Sequence, residues 1–444
     1  MGADVRLAPL TSGRSYPGRV PFGPRSLPWC VALAACSPGD PRGVANTGVT
    51  TSVFDPTWIS TAGTDVDDSG GSSAGTSSTG LVETSGTETG SDVGFPWSLP
   101  PGYPAPRVPD DNPMSAAKVE LGRHLFYDPR LSSTGTYACA TCHVQALAFT
   151  DGRATAVGET GEVHRRNAMS LANVGYAVSL AWADPQLATL EDQAPIPMYG
   201  HDPIELGLGS PADLEANLAT EPLYDGLFAA AFPDDPAPLS ADNAVRALAA
   251  FERTIISGRS DFDAWFYGTG YGDLSDAAAR GWELFNAPPA NCFRCHDDFN
   301  LSDSTAYDGG PDVAPRFHNI GLYNLDGAGA YPASDPGLVE VTGDPADMGK
   351  FKTPTLHNVA VTAPYMHDGS VATLGEVLDH YATGGRTITE GPHAGVGSDS
   401  PWRSEFVRPF EMSPQDRADM LAFLESLTDP AFLVDPALGD PWAR

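Results

Sequence analysis

Two copies of the motif C-x-x-C-H constrain this chain more than any other feature of its sequence. The first copy reads CATCH at residues 139–143, and the second reads CFRCH at residues 292–296. In the attachment signature of c-type haem, two thiols add to the haem vinyl groups and the adjacent histidine reaches the iron from the same turn. The motifs therefore predict two covalent haem c groups, one held by Cys139, Cys142 and His143 and the other by Cys292, Cys295 and His296. His143 and His296 are the expected iron ligands.

A zinc site and a thioredoxin-like redox pair are the alternatives to haem at these cysteines. Zinc would need four nitrogen or sulfur ligands at compatible spacing, but the two cysteine pairs stand about 150 residues apart and a histidine follows each pair at once. A thioredoxin-like pair expects a β-α-β context, which the surrounding sequence lacks. Two copies of the motif behind an export signal favour haem.

The sequence around the motifs repeats, which predicts two similar halves. VELGRHLF (119–126) precedes the first motif and ARGWELF (279–285) precedes the second, and both contain G-x-x-L-F. Each half closes with a segment of helical spacing, at 240–257 and at 413–427. The apolar positions that carry this spacing are Val245, Leu248, Phe251 and Ile255 in the first segment and Leu421, Leu424 and Leu427 in the second. We therefore predict a mostly α fold with two cytochrome c-like haem domains and long loops.

The N-terminal region has the composition of an export signal and a tether. Arginines precede a short apolar stretch that ends in LAAC at 33–36, which resembles a lipobox, so residues 1–35 are a predicted lipoprotein signal peptide and Cys36 the lipid-bearing residue. The alternative is an ordinary secretory signal with an incidental cysteine. Residues 36–100 hold too few apolar groups to offset the entropy of ordering, which predicts a disordered, flexible tether. We expect an exported protein, periplasmic or at the cell surface, attached to the membrane by its lipid.

The formal net charge of −32, from 57 acidic and 25 basic residues, bears on the possible partners. It argues against nucleic acid, whose phosphates require a basic face. It suits the steering of a basic redox protein, although solubility in a saline medium would explain it equally well.

Several long strings resemble the di-haem cytochrome c peroxidase and MauG superfamily. They are NPMSAAKVELGRHLFYDPRLSSTGTYACATCHVQALAFTDGRA, RRNAMSLANV and FKTPTLHNVAVTAPYMHDGSVATLGEVLDHYATGG, and the resemblance runs in order from about 105 to 430. PMYGHDPIELGL with HRRNAMSLAN is similar to the MbnH-like branch. The resemblance implies a peroxidatic haem domain at 101–258, an electron-relay haem domain at 259–430 and a tail at 431–444.

The resemblance also implies roles around the first haem. Glu205 matches the family's distal glutamate, which moves the proton that peroxide cleavage requires, and Gln193 and Pro197 match the rest of that pocket. The histidine that caps the first iron in ordinary family peroxidases is replaced by Glu159, so the first haem is expected to be open. His164 is nearby but out of register, either an iron ligand or a solvated loop histidine.

Around the second haem, the family register places Tyr381 where ordinary peroxidases have a methionine ligand. Tyr381 is therefore the predicted second iron ligand of this haem, with His380 as the other nearby donor and simple packing as the alternative role. Trp182 matches a tryptophan between the haems. Asn167, Thr362 and Pro364 match a calcium site, and oxygen ligands are those that calcium prefers. The role of His367 stays open.

These features predict an enzyme that reacts with hydrogen peroxide at the first haem and uses the resulting high-valent state to oxidise a protein. Replacement of the capping histidine and the presence of Tyr381 favour MauG-like or MbnH-like modification of a residue on a partner. A peroxidase fed by a small cytochrome or copper protein is the alternative enzyme, and a di-haem electron carrier is the alternative of another class.

Overall fold

A computed structural model describes residues 95–268 and 274–443, and within these ranges the fold is mostly α, as predicted. The predicted signal peptide, Cys36 and nearly all of the predicted tether lie outside the described residues. The α-helices are α1 (Ala116–Phe126), α2 (Cys139–Cys142), α3 (Leu190–Gln193), α4 (Pro195–Tyr199), α5 (Pro211–Leu218), α6 (Leu223–Ala231), α7 (Ala241–Glu252), α8 (Asp261–Phe266), α9 (Asp276–Asn286), α10 (Val339–Thr342), α11 (Leu374–Ala382) and α12 (Pro414–Ser426). No helix in the described ranges combines the length and apolarity that crossing a membrane requires.

Strands contribute little to the described part of the chain. Strand β1 (Phe317–His318) pairs antiparallel with β2 (Phe351–Lys352). Strand β3 (Thr387–Ile388) pairs antiparallel with β4 (Gly395–Val396). The connections between helices are long loops and short 3-10 turns, which agrees with the predicted loop-rich architecture.

One pair of helices brackets each haem motif, and each pair crosses at a glycine. Helix α1 packs on α7 in the first half, and α9 packs on α12 in the second. A Cβ atom at Gly122 would overlap the carbonyl oxygen of Ala247, and one at Gly281 would overlap that of Asp419. The glycine of the repeated G-x-x-L-F is therefore the point at which two helix backbones approach most closely.

The prediction for the buried face of α12 needs correction. Ser413 caps this helix and Pro414 occupies its first turn. The fully buried positions, however, are Met420, Phe423, Leu424 and Leu427, whereas Leu421 is only partly buried. Steps of three residues drift around a helix of 3.6 residues per turn, so the pattern i, i+3, i+4, i+7 describes the face correctly.

Four clusters of buried apolar residues build the core of the described chain, and the smallest consists of Leu180, Leu190 and Ala249. The first runs from Leu121 to Ile255 and also includes Phe432 and Leu438. The second runs from Phe262 to Leu427, and the third joins Ala183 to residues of the second half. The domain boundary at residues 258 and 259 stays a prediction, because the third cluster crosses it. The predicted tail at 431–444 contributes to the first core.

Candidate haem centres

The first motif forms a single helical turn that presents its histidine to a cavity. Cys139 and Cys142 are the first and last residues of α2, and His143 follows directly. His143 Nδ1 lies 2.8 Å from the carbonyl oxygen of Phe149. A carbonyl only accepts hydrogen bonds, so Nδ1 carries the proton and Nε2 is left to bind a metal.

The second motif forms a 3-10 turn that begins at Cys292, and its histidine is oriented in the same way. His296 Nδ1 lies 3.0 Å from the carbonyl oxygen of Leu301, so its Nε2 is likewise directed away from the backbone. Cys139, Cys142, Cys292 and Cys295 all carry free thiols. Each motif therefore offers the two thiols and the one imidazole that a covalent haem requires.

The first cavity collects every residue that the sequence assigned to the peroxidatic centre and to calcium. It has a volume of about 490 Å³ and is lined by Cys139, Cys142, His143, Gln193, Pro197, Glu205, Trp182, Asn167, Thr362 and Pro364. His164 lines the same cavity. Burial raises the pKa of Glu205 above its ordinary value.

Glu159, at the position of the missing capping histidine, is tied to the loop before the first motif. Its carboxylate accepts hydrogen bonds from the Ser133 hydroxyl and from the backbone nitrogen and hydroxyl of Thr134, the latter two at 3.1 and 2.8 Å. Glu159 is not among the residues that line the first cavity. This position therefore supports the loop and offers the first haem no ligand.

Only one of the two candidate iron ligands on α11 lines the second cavity. Cys292, Cys295, His296 and Tyr381 line it, whereas His380 does not. His380 is buried beside Tyr381, and burial lowers its pKa to about 4, so this imidazole is neutral. Burial, followed by the nearby cysteines, raises the pKa of Tyr381 above its ordinary value. Met366 and Met420 also line this cavity.

Trp182 lines both cavities, as its predicted place between the haems requires. Its indole Nε1 donates a hydrogen bond to the backbone oxygen of Asn167 at 2.9 Å. Its own carbonyl oxygen accepts a hydrogen bond from the backbone nitrogen of Lys352 at 2.8 Å. One bond therefore holds the indole ring and the other holds the backbone of Trp182.

Comparison with known proteins identifies the family. The family model for di-haem cytochrome c peroxidase matches residues 116–270. The cytochrome-c peroxidase IdrP1 of Denitromonas iodatirespirans is 35% identical over 373 residues, which cover 80% of this chain and 93% of that protein. This chain belongs to the di-haem cytochrome c peroxidase family. It is therefore a hydrogen-peroxide-dependent oxidoreductase with two haem c groups and a protein as electron donor or substrate.

Two further relatives place this di-haem peroxidase on the MauG-like side of the family. The methylamine utilization protein MauG of Methylorubrum extorquens is 34% identical over 331 residues, covering 74% of this chain and 84% of that protein. A crystal structure of a MauG-like protein associated with microbial copper homeostasis is 46% identical, with a TM-score of 0.76, and covers 78% of this chain and 99% of that chain.

Lys352 is a residue at both haem sites that the sequence reasoning did not single out. Its side chain lines both cavities, and burial lowers its pKa to about 8. No hydrogen bond joins its ammonium group to another described residue. Haem carries two carboxylates, and an ammonium group at the wall of its cavity fits such a partner. The free thiols, the imidazoles and this cation together suit the two haems of the family.

The predicted calcium ligands lie together but are partly engaged within the protein. Asn167 Nδ2 donates to the carbonyl oxygen of Arg153 at 2.7 Å, and Thr362 Oγ1 donates to that of Val359 at 3.1 Å. Asn167 Oδ1 receives no hydrogen bond from a described residue. Calcium binding by Asn167, Thr362 and Pro364 stays a prediction.

Two other polar groups near the cavities have structural explanations. His367 stacks on Phe351 with ring centroids 3.6 Å apart, and burial lowers its pKa to about 4, so it is a neutral packing residue. Cys295, Asp303 and His318 lie close enough to hold a metal ion. Cys295, however, belongs to the second C-x-x-C-H motif, and His318 Nε2 already contacts Asp303 Oδ2 at 2.7 Å.

Proposed function

We propose that this enzyme uses hydrogen peroxide to oxidise a side chain on a partner protein, as a MauG-like or MbnH-like enzyme rather than as a donor-fed peroxidase. The observation that carries the proposal is the place of Tyr381 in the second cavity. A phenolate is a poor ligand for a high-potential electron relay, because it favours the more oxidised states of iron. Such a site suits the storage of oxidising equivalents until a protein substrate supplies electrons.

The residues around the first cavity support the peroxide reaction that the proposal requires. Glu159 is bound to the loop before the motif, so that position does not block the first haem. The haem, when bound, supplies an iron that binds peroxide and can be oxidised. Glu205 accepts a proton from one peroxide oxygen and returns it to the departing oxygen. Trp182 offers an oxidisable ring between the two cavities.

The second candidate is reduction of peroxide with electrons from a small cytochrome or copper protein. It is favoured by the net charge of −32, which would steer a basic donor. The similarity to cytochrome-c peroxidase IdrP1 also supports it.

One experiment separates the two candidates. The haem-loaded enzyme is mixed with peroxide and either reduced horse-heart cytochrome c or the purified product of a neighbouring gene. We expect slow oxidation of the cytochrome and a discrete mass increase on one peptide of the neighbour protein. Fast, saturable oxidation of the cytochrome, with no modified peptide, would favour the donor-fed peroxidase.

The proposal includes export and a lipid anchor at Cys36, which the lipobox supports. We expect the wild-type protein in the membrane fraction and Cys36→Ser in the soluble fraction, with the same haem content. Fractionation followed by haem staining measures both. A wild-type protein that is already soluble and cleaved at another residue would contradict the anchor.

A further inference from the structure

We propose that His164 is a positioning residue for peroxide cleavage: its Nε2–H faces the Glu205 carboxylate, orients it towards the cavity and stabilises its ionised form. This inference rests on peroxide chemistry in the first cavity and not on the identity of the electron source. It therefore stands or falls separately from the proposal of partner oxidation.

The hydrogen bonds of His164 determine which ring nitrogen carries the proton. Its Nδ1 lies 3.1 Å from the backbone nitrogen of Arg166. A backbone N–H only donates, so Nδ1 accepts and the proton of the neutral ring is on Nε2. Nε2 in turn lies 3.7 Å from Glu205 Oε1. This exceeds a direct hydrogen bond, but it suits a bridging water or a small rotation on substrate binding.

The backbone holds these two side chains in place relative to each other. Residues 156–166 form a short hairpin, in which Val157 bridges Val163 and the His164 nitrogen donates to the Ala156 carbonyl oxygen at 2.8 Å. The hairpin is clamped to the segment that carries Glu205, because the Glu159 nitrogen donates to the Glu205 carbonyl oxygen at 2.9 Å. At Gly158 the hairpin also approaches the Ile204 carbonyl oxygen so closely that a side chain would not fit.

The two arginines that follow His164 are paired with carboxylates other than Glu205. Arg165 pairs with Glu340 and Arg166 pairs with Asp335, each at 2.7 Å. Asp202 also lines the cavity, and the Glu162 carboxylate accepts a hydrogen bond from the Ile204 nitrogen at 2.8 Å. Among the ion pairs of the described residues, Glu205 has no partner except His164. Burial and the two arginines lower the pKa of His164, so the ring is a neutral donor near pH 7.

These contacts assign His164 a fixed role. Because the Arg166 backbone occupies Nδ1, the ring cannot take up a proton there and pass one on from Nε2. It is therefore a stationary donor and not a proton wire. A donor to a carboxylate favours its ionised form, which is the form that can accept the peroxide proton.

Two variants separate donation from packing. His164→Asn keeps an acceptor for the Arg166 backbone but removes the donor that faces Glu205. His164→Gln places an amide nitrogen near the position of Nε2 and should restore the donor. His201→Gln is the matched control, because His201 is exposed, lies four residues before Glu205 and does not line the cavity.

The readout is the pH dependence of peroxide reaction and of cyanide binding, both measured by stopped-flow on the haem-loaded enzyme. Loss of the donor destabilises the Glu205 carboxylate. The midpoint of the acid limb of the pH profile should therefore rise by about one pH unit in His164→Asn. At pH values below the midpoint, the reaction should be about tenfold slower than in the wild type. The rate at high pH should be unchanged. His164→Gln and His201→Gln should keep the wild-type limb.

Three outcomes would overturn the proposal. An equal loss of rate at every pH in His164→Asn would indicate packing only. An unshifted acid limb would show that His164 does not act on Glu205. A change in the resting spin state of the first haem, seen by EPR, would instead make His164 an iron ligand. Should His164→Asn not accumulate, infrared titration of the Glu205 carboxyl in the wild type and in His164→Met decides, because a variant without a donor should raise the midpoint by about one pH unit. Coinciding midpoints would contradict the proposal.

Discussion

Glu205 is the side chain that we propose as the proton acceptor in peroxide cleavage. Glu205→Gln keeps the size of the group but cannot accept a proton, so peroxide activation should slow by about 10²–10⁴-fold. In the wild type the rate should fall as pH drops through the pKa of Glu205, which burial raises, because only the carboxylate accepts the proton. Stopped-flow kinetics measure both effects, and Glu390→Gln, at an exposed turn, is the control. Unchanged kinetics would remove Glu205 from the catalytic residues.

Tyr381 is tested by its effect on the second haem. Tyr381→His should keep that haem low-spin but remove the state, two oxidising equivalents above resting, that both haems share, because imidazole stabilises the more oxidised iron less than phenolate does. EPR and absorption spectra after addition of peroxide measure this. If Tyr381→Phe leaves the spectrum of the second haem unchanged, Tyr381 only packs. Met366 and Met420, which line the same cavity, would then be the next residues to replace.

At this scale the sequence predicted which cavity a residue lines, but not which other side chains it contacts there. The motif cysteines and histidines, Glu205, Trp182 and Tyr381 all line the expected cavities. His164 was out of register with the family, and only the hairpin geometry shows that it faces Glu205. Lys352 was missed because a lysine shared by two cavities has no local pattern. Contacts between segments distant in sequence are not visible in spacing.

At the scale of elements, the glycine of G-x-x-L-F determines how closely the paired helices pack. Gly122→Ala and Gly281→Ala should each destabilise the protein by about 1–3 kcal/mol, because the added methyl group overlaps a backbone carbonyl of the facing helix. Gly226→Ala is the matched control, since Gly226 lies in α6 with nothing near its Cβ position, and there the change should be neutral or slightly stabilising. Thermal unfolding of the haem-loaded proteins measures the difference. Equal midpoints for all three variants would contradict the close crossing.

The sequence located these elements through local signals but not their partners. Apolar spacing marked α7 and α12, and in the structure the two helices begin directly after Ser240 and Ser413, whose side chains cap them. Helix α1 pairs with α7 and α9 pairs with α12. Each pair requires a glycine because the two helix backbones are in contact at that position. A repeat in the sequence indicated that the glycines matter, and the packing supplies the reason.

At the scale of the whole molecule, the C-terminal segment links the two halves. The sequence predicted a tail at 431–444, yet Phe432 is buried in the first core, and Gln145 Nε2 donates to its carbonyl oxygen at 3.1 Å. Tyr127 donates to the carbonyl oxygen of Leu438 at 2.7 Å, and the Trp442 indole donates to that of His124 at 3.0 Å. The segment follows α12 of the second half directly. The C-terminal segment therefore packs against the first half of the protein.

This packing should support the first haem, and Phe432→Ala tests it. The Phe432 ring packs on Phe149 with centroids 5.6 Å apart, and the Phe149 carbonyl oxygen is the acceptor that orients His143. Removing the buried ring should cost about 3–5 kcal/mol of unfolding free energy. Val434→Ala, at a residue two positions away that is 72% exposed, should change the unfolding free energy by less than about 0.5 kcal/mol. Denaturant unfolding followed separately at the Soret bands of the two haems should show the loss first at the haem held by His143. A loss confined to the second haem, or none, would mean that the segment only lies on the surface.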